Sequence, residues 1–287
     1  MYIYSTLENT SVQTLFHAYL QKSKFSTSTK SVSYEAFYNM LQIRGYIPGI
    51  SMGAFEKSNH FLVGFILNGL RTWNGKSTVY DILTGTVLSH RRQGIANTMF
   101  ENLKVLLRQK YAEQYLTEVK KDNTPAIELY KKQGFEIRRG LSSYKLNKEN
   151  HNKTTSDCKI EYCAEIKQNE WEQLKSFWEF QPSWQNSISS INAVKGIMIY
   201  ALARLDNNII GYGVVDKNTG DIPQLAVHKD YRRNGIAGSI VSGLFEKVET
   251  NQLVVWNVDD AYDGMKLFLL QLGFEKTINQ YEIVLTL

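Results

Sequence analysis

The feature that most constrains this chain is an internal repeat. His90-Arg91-Arg92-Gln93-Gly94-Ile95-Ala96 returns as Tyr231-Arg232-Arg233-Asn234-Gly235-Ile236-Ala237, and Gly134-Phe135-Glu136 returns as Gly273-Phe274-Glu275. From Gly94 to Gly134 is 40 residues, and from Gly235 to Gly273 is 38. Two separate motifs in the same order at a nearly fixed distance imply one structural plan used twice. The surroundings agree: a β-like run leads into the first glycine, an amphipathic helix follows, then a strand, then a helix ending at Gly-Phe. A length of 287 residues suits two domains of ordinary size.

Hydrophobic periodicity supplies the elements. The first copy predicts a short strand near 2–5, helices near 11–22 and 33–43, and strands near 50–56, 60–68 and 77–88. A helix over 94–110 places Ile95, Met99, Leu103, Leu106 and Leu107 on one face. A strand near 114–120 follows, then a helix opened by Thr124-Pro125, where proline's missing N–H costs little. The last element is a strand from Phe135 to Leu146. The second copy repeats the scheme: a strand over 158–165, helices over 168–180 and 186–194, strands over 196–205, 208–216 and 221–228, a helix over 235–248, a strand over 252–258, a helix over 261–271 and a strand over 274–286. The polar run 147–157 reads as a linker. The expectation is an α/β (α+β) chain of two domains, 1–146 and 158–287.

Composition narrows the partners. Residues 1–146 hold 12 Lys and 7 Arg against 2 Asp and 8 Glu, a net +9; residues 147–287 hold 11 Lys and 3 Arg against 8 Asp and 10 Glu, a net −4. A basic half can attract polyanions, yet no zinc-finger spacing, aromatic nucleic-acid signature or long lysine block is present, so nucleic acid is not expected. The longest nearly uninterrupted apolar stretch, Phe61 to Leu67, is far short of the ~20 residues of a membrane span. The five histidines are scattered without ligand spacing, which predicts no metal site. Two cysteines, Cys158 and Cys163, are too few for a disulfide framework, and no basic-then-apolar leader is visible; a cytoplasmic location is the expectation.

A strand running into Arg-x-x-Gly-x-Ala at the start of a helix is suited to an anion. The first helical turn leaves backbone N–H groups unpaired and carries the positive end of the macrodipole. Gly94 and Gly235 let an anion approach the backbone, and Arg91, Arg92, Arg232 and Arg233 add charge at the mouth. An ordinary strand-to-helix turn with exposed arginines is the plainer reading of either loop alone; the duplication argues against it.

The stretch Thr84-Gly85-Thr86-Val87-Leu88-Ser89-His90-Arg91-Arg92-Gln93-Gly94-Ile95-Ala96 resembles the acetyl-CoA-binding signature of the GNAT superfamily of N-acetyltransferases. So does Leu225-Ala226-Val227-His228-Lys229-Asp230-Tyr231-Arg232-Arg233-Asn234-Gly235-Ile236-Ala237. Asn123 through Phe135 is similar to the superfamily's second motif, Asn-x-x-Ala, then Tyr, then Gly-Phe. The resemblance implies two tandem GNAT domains, each a mixed, mostly antiparallel twisted sheet flanked by helices, with a splayed strand pair that admits acetyl-CoA.

It further implies that Thr84, Gly85 and Thr86 pair with the pantetheine arm, that Gln93, Gly94, Ile95 and Ala96 hold the diphosphate, and that Asn123 lines the cofactor site. An amide near Thr86 would hold the thioester carbonyl. Leu225, Ala226, Val227, Asn234, Ile236 and Ala237 are the counterparts in the second copy. Tyr130 stands where the family's general acid stands. The base is open between Asp81, which reaches the site only if a β-bulge intervenes, and Glu118; in copy two Asp221 is the candidate. Copy two has Leu269 in place of the acid tyrosine and Tyr262 in place of Asn123. It therefore holds CoA without turnover, uses Asp221 with a different acid such as Tyr262, or binds nothing and braces copy one. The implied activity is acetyl transfer to a primary amine of a small molecule, amino acid or peptide. A non-catalytic CoA-binding protein, or a tandem amide-forming transferase acting on a thiol or cell-wall precursor, is the alternative.

Overall fold

The computed structural model describes residues 1–23, 32–206 and 208–287. It divides into two compact units, Met1–Arg138 with Glu282–Leu287, and Arg139–Tyr281. Each combines helices with a mixed set of strands. No helix among the described residues is long and apolar enough to cross a membrane.

In the first unit β1 (Tyr2–Thr6), β2 (Met52–Glu56), β3 (Leu62–Trp73), β4 (Lys76–Thr86) and β5 (Gln114–Lys120) lie side by side in that order. The first four are antiparallel neighbours, and β5 runs parallel to β4. Asn74 and Gly75 turn the β3–β4 hairpin with φ of 52° and 77°, the two positive values a tight primed turn needs. Helices α1 (Val12–Ser23), α2 (Tyr34–Arg44), α3 (Ile95–Gln109) and α4 (Thr124–Lys132) complete the unit. Ser33 caps α2 by accepting from the Ala36 amide. The predicted stripe of α3 is its buried face: Ile95, Met99, Leu103 and Leu107 are all within the core, joined by Phe100. At about 1.5–3 kcal/mol for each large side chain removed from water, this stripe outweighs helix propensity in holding α3. The Leu287 amide donates to the Glu113 carbonyl at 3.0 Å, so the chain's end belongs to this unit.

In the second unit β11 (Gln224–Val227), β9 (Asn208–Asp216), β8 (Met198–Leu205) and β7 (Lys159–Cys163) form an antiparallel sheet in that order. A second group pairs β12 (Gln252–Asp259) antiparallel with β6 (Glu136–Asn147) and parallel with the short β10 (Asp221–Ile222). Helices α5 (Gln168–Leu174), α6 (Ile188–Ala193), α7 (Ile236–Phe245) and α8 (Asp263–Gln271) and the strand β13 (Glu275–Thr286) complete the list of elements. The core under α7 gathers Ile236, Ile240, Val241 and Leu244 against β8, β9 and β12.

Four expectations are corrected. The boundaries 1–146 and 158–287 give way to the division above, because the backbone of β6 finds its ladder on β12, from Gln252–Asn147 to Asp259–Leu141. The run 147–157 is not a free linker: the Lys148 amide donates to Asn251 O, the Asn152 amide donates to Leu272 O, and the His151 ring lies 2.9 Å from the Ser242 hydroxyl. The strand expected over 221–228 breaks at Pro223, which has no N–H for either ladder, so β10 joins β12 while β11 joins β9. The helix expected over 168–180 also ends early, at Leu174, passing through a single tight turn at Lys175–Phe177 into extended chain ahead of Pro182.

Candidate functional site

Between β4 and β5 the parallel ladder is short. It pairs Thr78 with Gln114, Val79 with Tyr115 and Tyr80 with Leu116, and then the strands part. Beyond that point the Val87 amide donates back to Val63 O on β3. By the two-residue alternation of a strand, the backbone groups of Thr84 and Thr86 face the opposite, open side. Their carbonyls accept there from Lys22 Nζ at 2.6 Å and Arg91 Nε at 3.3 Å.

The loop after β4 takes the shape the repeat predicts. Arg92 at φ 60° and Gly94 at φ 78° are both left-handed, so successive amides converge on the start of α3. Among the described residues, a Cβ on Gly94 would meet no atom within 4 Å. Gln93 contributes through its backbone, since its side chain accepts from the Tyr2 hydroxyl at 2.6 Å. Ile95 points into the core and offers only its amide. Arg91 departs from expectation: rather than standing at the mouth, it ties Thr86 O to Lys22 O (Nη2 at 2.9 Å) and locks the end of β4 to α1. Arg91 and Arg92 are both solvent-exposed. Asn123 is the cap of α4, accepting from the Ala126 amide at 3.3 Å.

Where the strands part, a polar cluster is buried. The β3–β4 register steps from Leu67–Leu83 to Asn68–Asp81, so Ile82 is an extra residue and the bulge re-aims Asp81. Asp81 Oδ2 accepts from the Thr84 hydroxyl at 2.6 Å and from the Tyr130 hydroxyl at 2.8 Å, while the Thr117 hydroxyl donates to the Asp81 carbonyl at 3.0 Å. Asp81 Oδ1 is buried with no hydrogen-bond partner among the described residues. Burial pushes the Asp81 carboxyl up to about 6 against the opposing pull of Thr84, Tyr130 and Lys22. Burial, with the Asp81 charge beside it, pushes the Tyr130 hydroxyl well above its usual range. Burial lowers the Lys22 ammonium to about 8. Glu118 is not part of this cluster; it accepts from the Tyr80 hydroxyl. Lys22, Thr84's side chain and Thr117 were not legible as site residues, because no motif marks them and Lys22 arrives from an element 62 residues away.

The second unit carries the same loop. Arg233 and Gly235 have φ of 67° and 74°, and Arg232 repeats the tie of Arg91, from Val227 O at 3.0 Å to Phe177 O at 3.1 Å. Its side chain also pairs with Glu179. The Asn234 side chain turns back to Tyr231 O. A cleft of about 520 Å³ opens beside Leu225, Ala226, Val227, Ile236 and Ala237, with Trp178 and Trp256 among its walls. Three features set it apart. A Cβ on Gly235 would lie 3.0 Å from Thr155 O, and one on Gly238 would lie 2.7 Å from Thr154 Cβ, so the chain's own 154–155 segment lies against this loop, and Thr154 and Gly235 line the cleft together. The position matching Asp81 along the strands is Ile222, and that matching Tyr130 is Leu269, both fully buried and apolar. Asp221 accepts from Trp256 Nε1 at 2.9 Å, and burial raises its carboxyl. It therefore occupies the place of Tyr80, as Trp256 occupies that of Glu118. Tyr262 lies at the exposed start of α8 with its ring 5.5 Å from Phe180.

The model of the acetyltransferase (GNAT) family matches residues 17–135 and 163–274. A tandem GNAT protein from the clavulanic acid biosynthesis pathway is similar in fold, with a TM-score of 0.73 at 15% identity over 100% of this chain and 98% of that one. A GCN5-related N-acetyltransferase from Sphaerobacter thermophilus gives a TM-score of 0.70 at 12% identity, covering 99% of this chain and 95% of that one. A GCN5-related glucosamine N-acetyltransferase region of a fungal multi-domain GH3 beta-N-acetylglucosaminidase gives 0.72 at 13% identity, covering 99% of this chain and 38% of that one. No relative was found among curated proteins by sequence comparison. With both matched regions set on two folded units that repeat one loop, the chain belongs to the acetyltransferase (GNAT) family and carries its fold in tandem.

Proposed function

We propose that the first unit transfers an acetyl group from acetyl-CoA to a primary amine of a small molecule, amino acid or peptide. The observation that carries this reading is the buried Asp81–Tyr130 hydrogen bond at the parting of β4 and β5, beside the amide cradle at Gly94. Acetyl-CoA would supply an activated acyl group. The amides from Gln93 to Ala96 suit its diphosphate and Arg92 adds charge there, while the open edge at Thr84 and Thr86 suits the amide-bearing arm. Gly85 lies between these two pairing residues.

Asp81 is suited to take the proton of the attacking amine. Its Oδ1, without a hydrogen-bond partner among the described residues, is an acceptor, and its raised affinity for protons still leaves it ionised at neutral pH. Tyr130 can give a proton to the departing sulfur: burial keeps the phenol protonated at rest, and its hydrogen bond to Asp81 lets the lost proton be replaced. Because Tyr130 already donates to Asp81, the proton gained by the carboxylate can restore the phenol, and the pair ends each turnover as it began. Glu118 and Asp221 are engaged with Tyr80 and Trp256 and have no place in this circuit.

A different reading holds for the second unit. Ile222 and Leu269 can neither accept nor donate a proton, and the 154–155 segment against the loop disfavours a diphosphate. We read this unit as a companion without transfer chemistry. The two cysteines are unpaired, in keeping with a reducing, cytoplasmic setting. Thiol release from acetyl-CoA across a panel of amines tests the proposal. Turnover with one class of amine, reduced about a hundredfold in kcat by Tyr130→Phe with little change in CoA affinity, is the expected result. Binding without thiol release from any amine would support the non-catalytic alternative for both units.

A further inference from the structure

We propose that Lys22 is a self-acetylation site, its Nζ lying where the acceptor amine of the transfer has to stand. The inference rests on the acetyl-transfer reading of the first unit. Lys22 Nζ donates to Thr84 O at 2.6 Å, on the open edge of β4 where the acyl donor would lie. Its stem lies over the face of β4 at Gly85, where a Cβ would come 2.7 Å from Lys22 Cδ. Arg91 holds the Lys22 carbonyl at 2.9 Å, so this backbone is anchored at the strand it serves.

Among the described residues, the groups that face the amine come from three elements: Asp81 on β4, Arg91 in the loop before α3, and Tyr130 on α4 through its bond to Asp81. Asp81 attracts the ammonium, but desolvation outweighs that attraction and leaves the group near 8. An exposed lysine keeps its proton to about 10.4, so Lys22 presents a far larger share of neutral amine near neutral pH. Attack by the Nζ lone pair on the acetyl carbonyl carbon forms the C–N bond. The C–S bond breaks with its electron pair passing to sulfur. The surplus amine proton goes to Asp81, Tyr130 supplies the proton on sulfur, and the products are Nζ-acetyl-Lys22 and CoA thiol. Nothing is oxidised or reduced.

The full chain is incubated with acetyl-CoA and no added amine, and read by intact mass and peptide mapping, with acetyl-CoA binding followed separately by calorimetry. The expected result is one acetyl increment on Lys22, forming about tenfold or more faster than on any exposed lysine because the amine is held in place. Its rate should rise between pH 7 and 9. Lys22→Arg should remove the increment and retain the donor to Thr84 O, and Tyr130→Phe should slow it. The acetylated chain, having lost its cation and filled the acceptor position, should also release thiol more slowly with external amines. Binding with Lys22 unmodified, or modified no faster than exposed lysines, overturns this inference alone. Absence of acetyl-CoA binding overturns it together with the transferase reading.

Discussion

Asp81 is pulled in opposite directions by its two roles. Its folded pKa of about 6 lies above the value of about 3.9 for a free aspartate, so the folded chain binds this proton more tightly than the unfolded chain does. The contribution to stability is therefore present below about pH 4 and is lost as pH rises through 6. In the proposed reaction the same ionisation creates the base. Expected activity accordingly falls as pH drops through about 6, and Asp81→Asn should abolish that limb and lower kcat by about 10²–10⁴. At pH 7 the same variant should be more stable, by on the order of 1 kcal/mol, with part of the gain offset by the stranded Lys22 charge. A pH–rate profile and a thermal melt check both signs; a variant that loses stability as well as activity would place Asp81 among structural groups. Tyr130 was legible from its place before Gly134, but the choice of Asp81 was not. It depends on one extra residue, Ile82, and nothing in the alternation of Val79, Tyr80, Asp81 and Ile82 announces where a ladder will slip.

At the scale of elements, the two loops share a backbone and differ in what lies against them. The repeat made both loops legible, because the turn is local chemistry between neighbours in sequence, while the left-handed Arg92 and Arg233 paired with the glycines are seen only in the structure. It could not show that residues 154–155 lie against the second loop, since that contact joins positions some eighty residues apart. A diphosphate there would have to share the loop with Thr154 and Thr155, whose neighbourhood is fixed by bonds from the Thr154 amide to Ser242 and from Ser239 to the Thr154 carbonyl. Calorimetry is expected to give about one acetyl-CoA per chain. Gly94→Glu should abolish the binding by placing a carboxylate in the cradle and straining a left-handed residue, while Gly235→Glu should leave the stoichiometry unchanged. A stoichiometry near two, reduced by Gly235→Glu, would mean that the 154–155 segment yields to the ligand. Pro223 tells the same story from the strand side. It stands where Ile82 bulges in the first copy, and there it severs β10 from β11 instead of merely bending a continuous strand.

For the whole molecule, the order of residues in the chain is not the order of the units. Every group assigned to the transfer site, from Lys22 to Tyr130, precedes Arg138, so a piece ending near residue 146 would contain the site and would look self-sufficient in the sequence. Yet Glu282–Leu287 are part of that unit. Ile283 is buried, Leu285 Cδ1 would lie 3.2 Å from a Cβ on Gly134, and the Leu287 amide closes on Glu113 O beside the strand that parts from β4. The Glu282 carboxylate, itself fully buried, lies 3.7 Å from Arg138 Nε. Periodicity identified a strand at the end of the chain but carries no information about which ladder its residues join, because any edge of suitable register satisfies the same alternation. Removing residues 282–287 should therefore impair the first unit more than the second. Loss of buried apolar side chains at about 1.5–3 kcal/mol each, together with uncovered amides on β5, should destabilise β5 and the Thr117 contact to Asp81. Hydrogen exchange read on β5 and on β9, before and after the deletion, checks it: faster exchange confined to β5, with thiol release lost, is the expected outcome, and equal protection in both strands would show that the first unit stands without the chain's end.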